Sequence, residues 1–486
     1  MGPQSISPTP PREAKNSLCT TIFKFVLRQW LLIGLNIGCA LAYYFPEVGK
    51  HGGIIRSEYT ILYGAVALIF LISGLSIPRD KLLQHMLNSR LHLKTQGISF
   101  LVIPAIMTGL VRLVDTTDHA EKIDRHVLAG YIILACLPTT IVSNVVMTRA
   151  AGGDEAAALV EVFIANIIAP FIAPGWAVTL IPESRAFGVW KESNGDLQGI
   201  YRSVFKQLGL SAFLPLVVGQ LIRWKWAEKT VWVMKTFYLA KWSSVCLIVI
   251  VWSSFSTSFA TGAFQSLSHK TVAFITLFNI LFYTCLTGLS LVIAYPPSAV
   301  IPQERPATAR PSVTTVIISK KANLHSLLQA FLARLIKRTP PLETIAICFC
   351  GPAKTAGFGI PMVYAMYPTV NLRHVAKLTV PVILYTLEQI VCAHFMVYFF
   401  RRWGERKVGD WREKEKMAPG EGGGQGAGCE RGDLSVSTGA GGTSEDMQET
   451  LHDCADVIEN DVERGEKVVD RENGYGGIMN QRNAKE

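Results

Sequence analysis

Charge is what this 486-residue sequence has least of. Asp, Glu, Lys and Arg make up 17% of it, whereas 49% is hydrophobic. A soluble domain carries about a quarter charged residues, so this composition excludes a chain folded wholly in water. Metal-ligand spacing is also lacking. Most of the ten cysteines lie inside apolar runs, and Cys348-x-Cys350 has no second pair. They read as small hydrophobes rather than ligands. There is no nucleophile–base constellation and no nucleotide loop, so nothing suggests an enzyme or a cofactor. The Pro/Ser-rich N-terminus is no signal peptide, and the first apolar run after it reads as an uncleaved anchor.

The charge that is present is sorted along the chain. From Gly404 onward 11 Lys and Arg stand against 19 Asp and Glu, while the preceding part has 36 against 18. The basic residues flank hydrophobic runs, as expected of loops facing anionic lipid. They are not interleaved with aromatics, so the expected partner is the lipid bilayer and not a nucleic acid.

About 20 helical residues cross a hydrocarbon core. On that scale spans are expected at 23–45, 59–78, 92–114, 127–148, 156–180, 205–223, 236–256, 270–295, 345–366 and 379–402. With both ends in the cytoplasm, the inner segments hold 24 Lys and Arg and the outer ones 12, the bias that sets orientation. The expected fold class is therefore an all-α polytopic membrane protein of ten helices. Residues 1–22 would be a disordered cytoplasmic N-terminus, 23–295 helices one to eight, and 345–403 helices nine and ten. Residues 296–344 would form a cytoplasmic loop, with a helix at 325–338 that either lies on the membrane or has no role. The acidic tail, 404–486, reads as disordered.

Two spans are polar and interrupted. The fourth contains LPTTIVSN, with Pro138, Thr139, Thr140, Ser143 and Asn144; the ninth contains FCGPAKTAGFGIPM, with Gly351, Pro352, Lys354 and Thr355. A lysine at such depth costs about 2.5–3.5 kcal/mol to insert. It faces the protein interior or a water-filled cavity, as part of a structural ion pair or of a functional site. Proline and glycine break helices, and matching broken helices in the two halves of a chain point to a transport site. With five spans per half, the second half would be inverted relative to the first. Two kinked helices packing tightly would explain the glycines, but not Ser143, Asn144 and Lys354 together. Acidic residues within spans are Glu161 and Glu388, and Glu161 is the expected ion-pair partner of Lys354. Glu388, with Gln389 and His394, reads as a structural polar contact. GPAKT is not a phosphate-binding loop, because Ala353 precedes the lysine and the leading glycine is missing.

LPTTIVSNVVMT, LISGLSIP and FCGPAKTAGFGIPM resemble the bile acid:sodium symporter superfamily, over about 23–295 and 340–403. Within it they are closest to the branch that includes fungal calcium-homeostasis regulators. The resemblance implies ten helices arranged as panel and core domains, with helices four and nine crossing in the core. In that superfamily sodium is held by a Ser-Asn pair of helix four, Ser/Thr of helix five and a Glu-x3-Gln of helix nine. Ser143 and Asn144 match the first element, and Gln96 matches a glutamine of helix three. The helix-nine glutamate has no counterpart: Cys350 stands four residues before Lys354, which falls where the glutamine belongs. Helix five offers Glu161 and Asn166 instead of hydroxyls. An ammonium repels a sodium ion, so the expected function is sodium-independent transport of an unidentified solute, with negative regulation of cytosolic calcium at the plasma membrane. Two alternatives stand beside it: a non-transporting regulator of a plasma-membrane calcium channel, and a sodium-coupled organic-anion symporter.

Overall fold

The long apolar runs form helices, and among the described residues of the computed structural model there is no strand. The described residues are 30–118, 122–192, 197–297 and 337–417. The sequence expectations for 1–29, most of the 296–344 loop with its helix at 325–338, and 418–486 lie outside them.

In chain order the principal helices are α1 (Trp30–Tyr44), α2 (Ser57–Ser76), α3 (Ser89–Thr117), α4 (Arg125–Cys136), α5 (Val142–Ala150), α6 (Glu155–Leu180) and α7 (Leu197–Lys225). There follow α8 (Leu239–Ala260), α9 (His269–Ala294), α10 (Pro341–Cys350), α11 (Ala356–Met366) and α12 (Leu372–Met417). Seven of them (α2, α3, α6, α7, α8, α9 and α12) are long and apolar enough to cross a membrane. The others are shorter, for a visible reason in two places. The expected fourth span is divided into α4 and α5 around Pro138, and the expected ninth into α10 and α11 around Pro352. A proline supplies no N–H and clashes with the preceding turn.

Side chains cap the starts of several helices. Asp124 Oδ1 accepts from His126 N at 2.9 Å, Asp154 Oδ1 from Ala157 N at 3.0 Å, and Thr355 Oγ1 from Gly357 N at 3.2 Å. Each satisfies a donor that the helix itself leaves unpaired. One boundary differs from the sequence reading. α12 runs on through Met417, past Gly404, where the disordered tail was expected to begin. Arg401–Glu405 and Lys407–Asp410 pairs lie along this extension, and a strongly charged helix continues where composition suggested none.

α1 packs on α8, and α2 on α7. α4 lies against α3, α6 and α12, α9 against α10 and α12, and α10 against α5 and α6. The approach of α4 to α12 needs a glycine: a Cβ on Gly130 would come within 2.3 Å of the Leu378 carbonyl oxygen. The first broken pair and α10 lie in this second group, while α11 packs on α7 and α8 as well as on α12.

A buried lysine fixes where α10 enters. Lys94 of α3 is 2% exposed and donates to Ala294 O (3.2 Å), Lys337 O (2.8 Å) and Thr339 Oγ1 (3.0 Å). Thr339 N also donates to Ala294 O at 3.0 Å. The end of α9 and the approach to α10 are thereby clamped together on α3.

Candidate functional site

The two helix breaks meet. Thr355 N, in the second, donates to Pro138 O, in the first, at 3.1 Å. A Cβ on Gly359 would stand 2.3 Å from Leu137 Cδ1, so any larger residue there must displace the Leu137 side chain at the first break.

Lys354 sits at this crossing and is 1% exposed. Its ammonium donates to Leu137 O (2.8 Å), Ser99 O (2.9 Å) and Ser99 Oγ (3.0 Å). An ammonium has three N–H donors, and all three are used on neutral oxygens. The ring of Phe100 lies beside it, with Nζ 5.9 Å from the centroid. The main chain of Lys354 is held as well. Lys354 N donates to Gln389 Oε1 (2.9 Å), and Gln389 Nε2 donates to Lys354 O (2.7 Å). Tyr385 O–H donates to Pro352 O at 2.8 Å. α12 thus supplies the hydrogen bonds that the broken helix cannot make for itself.

Two of the oxygens that hold the lysine are backbone carbonyls, and both are free for local reasons. Leu137 lies just past the end of α4, in extended conformation before Pro138, as residues preceding proline prefer. Ser99 lies in a π-helical turn, Ile98–Val102, where Ile103 N donates to Ile98 O instead of Ser99 O. The next candidate donor is residue 104, a proline without an N–H. The wide turn and the proline together leave Ser99 O for Lys354.

The polar residues of the first break bond to one another. Thr140 Oγ1 and Ser143 Oγ are 2.7 Å apart, and Asn144 Nδ2 donates to Thr139 Oγ1. All four are buried.

Glu161 is fully buried, but it does not pair with Lys354 as the sequence reading expected. Its Oε1 lies 2.5 Å from His92 Nδ1, and its Oε2 accepts from Gln96 Nε2 at 2.8 Å. Gln96 Nε2 also donates to Glu161 O at 3.0 Å. His92, Gln96 and Ser99 are spaced to share one face of α3, so α3 supplies one partner set to Glu161 and another to Lys354. Asn166 stands apart from both, donating to Val162 O of its own helix at 2.8 Å. Gln96 Oε1 and Asn166 Oδ1 are buried acceptors without a donor. His394 Nδ1 bonds Ile390 O at 2.7 Å. Among the described residues no group of three His, Cys, Asp or Glu is arranged to hold a metal ion.

Sequence reasoning thus finds the lysine and both breaks but assigns the wrong partner. It misses Ser99, Leu137 and Tyr385 and gives Gln389 only a general structural role. Pro104 after a run of ordinary helix formers is the one signal that could have exposed Ser99.

The SBF-like CPA transporter family profile matches residues 29–402. The chain belongs to the SBF-like CPA transporter family. Among its relatives in that comparison, "Solute carrier RCH1" of Candida albicans is 37% identical over 402 residues, covering 81% of this chain and 93% of that protein. "Solute carrier RCH1" of Saccharomyces cerevisiae is 36% identical over 388 residues, 79% of this chain and 86% of that protein. "Sodium/bile acid cotransporter 7" of Mus musculus is 24% identical over 379 residues, 77% and 93% of the two chains. The resemblance read from the sequence is confirmed. An SBF-like CPA transporter family member with seven helices fit to cross a bilayer among its described residues is an integral membrane protein of the transporter class, and the bilayer and a transported solute are its partners.

Proposed function

We propose that this chain is a sodium-independent solute carrier in which Lys354 is a built-in positive charge. One observation carries this reading. The Lys354 ammonium lies at the crossing of two broken helices, buried and held only by neutral oxygens. Carbonyl and hydroxyl oxygens of this kind suit a small cation, and here a covalently attached cation fills the position. Unwound backbone at a helix crossing is how many transporters expose polar groups to a solute. A fixed charge without a carboxylate partner attracts an anion, so an anionic solute is the favoured cargo, with Ser143, Asn144, Thr139, Thr140 and Thr355 as its polar surroundings.

The full architecture proposed is ten membrane segments, α4–α5 and α10–α11 each counting as one, in two inverted five-helix repeats. The packing of α1 on α8 and α2 on α7, beside the group formed by α3, α4, α9, α10 and α12, supports a panel and a core, with α11 packed on α7 as well as on α12 where the two meet. Cytoplasmic termini, the plasma membrane and negative regulation of cytosolic calcium complete the reading; they follow from the charge bias and from the resemblance.

The test uses cells that lack their own relative of this family. Calcium accumulation is measured with the wild-type chain, with Lys354→Ala and with a chain ending at Met417. Normal accumulation with the wild type and the shortened chain, but not with Lys354→Ala, supports the transport core. Loss only with the shortened chain would instead favour docking to a channel through the tail. Sodium independence is tested by thermal unfolding of the purified protein in sodium chloride against choline chloride, with equal midpoints expected. A sodium-specific rise would overturn it.

A further inference from the structure

The function proposed above uses Lys354 and leaves a second buried ionisable group without a task. Glu161 is 0% exposed, and a buried carboxylate is costly unless it is paired or protonated. Its partner His92 has an 18% exposed side chain, so one end of the pair reaches the molecular surface while the other is enclosed.

The hydrogen-bond pattern counts the protons. His92 Nε2 lies 3.1 Å from Met86 O, and a carbonyl oxygen only accepts, so Nε2 carries a hydrogen. His92 Nδ1 lies 2.5 Å from Glu161 Oε1. An imidazole lone pair facing a carboxylate at that distance would be repulsive, so one further proton lies between them. Gln96 directs its N–H to the far oxygen, Oε2, at 2.8 Å, and this bond is available whichever atom holds the shared proton. The pair is therefore electrically neutral with that proton and carries one negative charge without it.

We infer that His92, Gln96 and Glu161 form a proton-binding site, loaded from the end of the molecule where Arg79–Met86 meets the start of α3. Loading forms the Nδ1–H bond of His92 from a proton of the solvent and an imidazole, with Glu161 as the acceptor; no electron is transferred. Unloading leaves the imidazole lone pair against the carboxylate and drives α3 and α6 apart at this point. Ser99, which holds Lys354, lies further along the same face of α3, so this separation is aimed at the crossing.

Most neighbouring ionisable groups have partners of their own; the buried Nε of Arg90, two residues before His92, has none among the described residues. His85 of Arg79–Met86 lies 3.8 Å from Asp154, and Asn88 donates to Glu343 of α10 at 3.1 Å. Arg149 of α5 pairs with Glu155, Cys350 Sγ faces Ala158 O, and Lys94 is held at the end of α9. None of these contacts includes the His92–Glu161 pair.

That the bound proton drives transport rests on the reading above; that it binds does not, and its test needs no solute. Full-length protein with isotopically labelled histidine is followed by nuclear magnetic resonance across a pH series. One imidazole is expected to show a strongly hydrogen-bonded Nδ1 proton that is lost in His92→Gln, which assigns it, and in Glu161→Gln. In Lys354→Met the signal is expected to persist. Absence of the signal from folded wild type, or its survival in Glu161→Gln, would overturn the site. If Glu161→Gln does not fold, Gln96→Leu decides: a shifted signal supports the cluster, and an unmoved one removes Gln96 and with it the proposal.

Discussion

The two helix breaks face one another but are satisfied in different ways. The first, at Leu137–Ile141, is bordered by its own bonding groups: Thr140 with Ser143, and Thr139 with Asn144. The second, at Gly351–Thr355, has little of this. Its main chain is completed by Gln389 and Tyr385 of α12 and by Pro138 of the first break, and its one charge by Ser99 and Leu137. The side-chain pairs of the first break can persist when neighbours move, although its Leu137 and Pro138 carbonyls are completed by the second break. A break that borrows its partners must rearrange whenever α3 or α12 shifts. The second break is therefore the one whose geometry reports the state of the whole core.

The largest effect that would sharpen this contrast comes from Lys354→Met. It leaves Ser99 O and Leu137 O buried without a donor, at about 1–3 kcal/mol each, and removes the charge altogether. Calcium accumulation in the complemented cells should revert to that of cells without the protein. Next is Gln389→Leu, which strands the N–H and C=O of Lys354 together. Thermal unfolding should reveal a loss of about 2 kcal/mol or more, although residue 389 belongs to neither break.

Pro104→Ala separates holding from function. It supplies an N–H opposite Ser99 O, so α3 gains a bond within itself and Lys354 must share that carbonyl. Stability should stay within about 1 kcal/mol of wild type while calcium control weakens; equal control would show that Ser99 O is dispensable. The smallest effect belongs to the side-chain pairs of the first break. Thr140→Val alone should cost about 1 kcal/mol by stranding the Ser143 hydroxyl, and adding Ser143→Ala should recover most of it, because removing both partners is nearly neutral. A double variant worse than the single one would mean that the pair serves something beyond each other.

Much of the frame was legible in the sequence, because hydropathy is periodic and prolines are conspicuous. Both interruptions, Pro138 and Pro352, coincide with real ends of helices, and Lys354 was marked by the insertion penalty alone. Its surroundings were not legible. A side chain has a residue type to be read, but the carbonyl oxygens of Leu137 and Ser99 do not, and only backbone geometry makes them available. Electrostatic reasoning therefore paired the buried cation with Glu161, the anion of the span that directly follows the other broken one. In the fold Glu161 had already been taken by His92 and Gln96, seven and three residues before Ser99 on α3. The helix through Met417 was hidden for another reason: composition that suits disorder also suits a solvated helix continuing from a long apolar one.

The Lys94 clamp has a consequence for how this chain can vary. Ala294 and Thr339 are joined by a hydrogen bond, and the same ammonium holds both sides. Whatever lies between residues 297 and 337 leaves and returns at a single point. Closing a longer loop there adds only about 0.6 kcal/mol for each doubling of its length, and the helices on either side need not move. A reporter domain inserted between residues 297 and 337 should therefore leave the unfolding midpoint of the described core unchanged, because Ala294 and Thr339 stay joined.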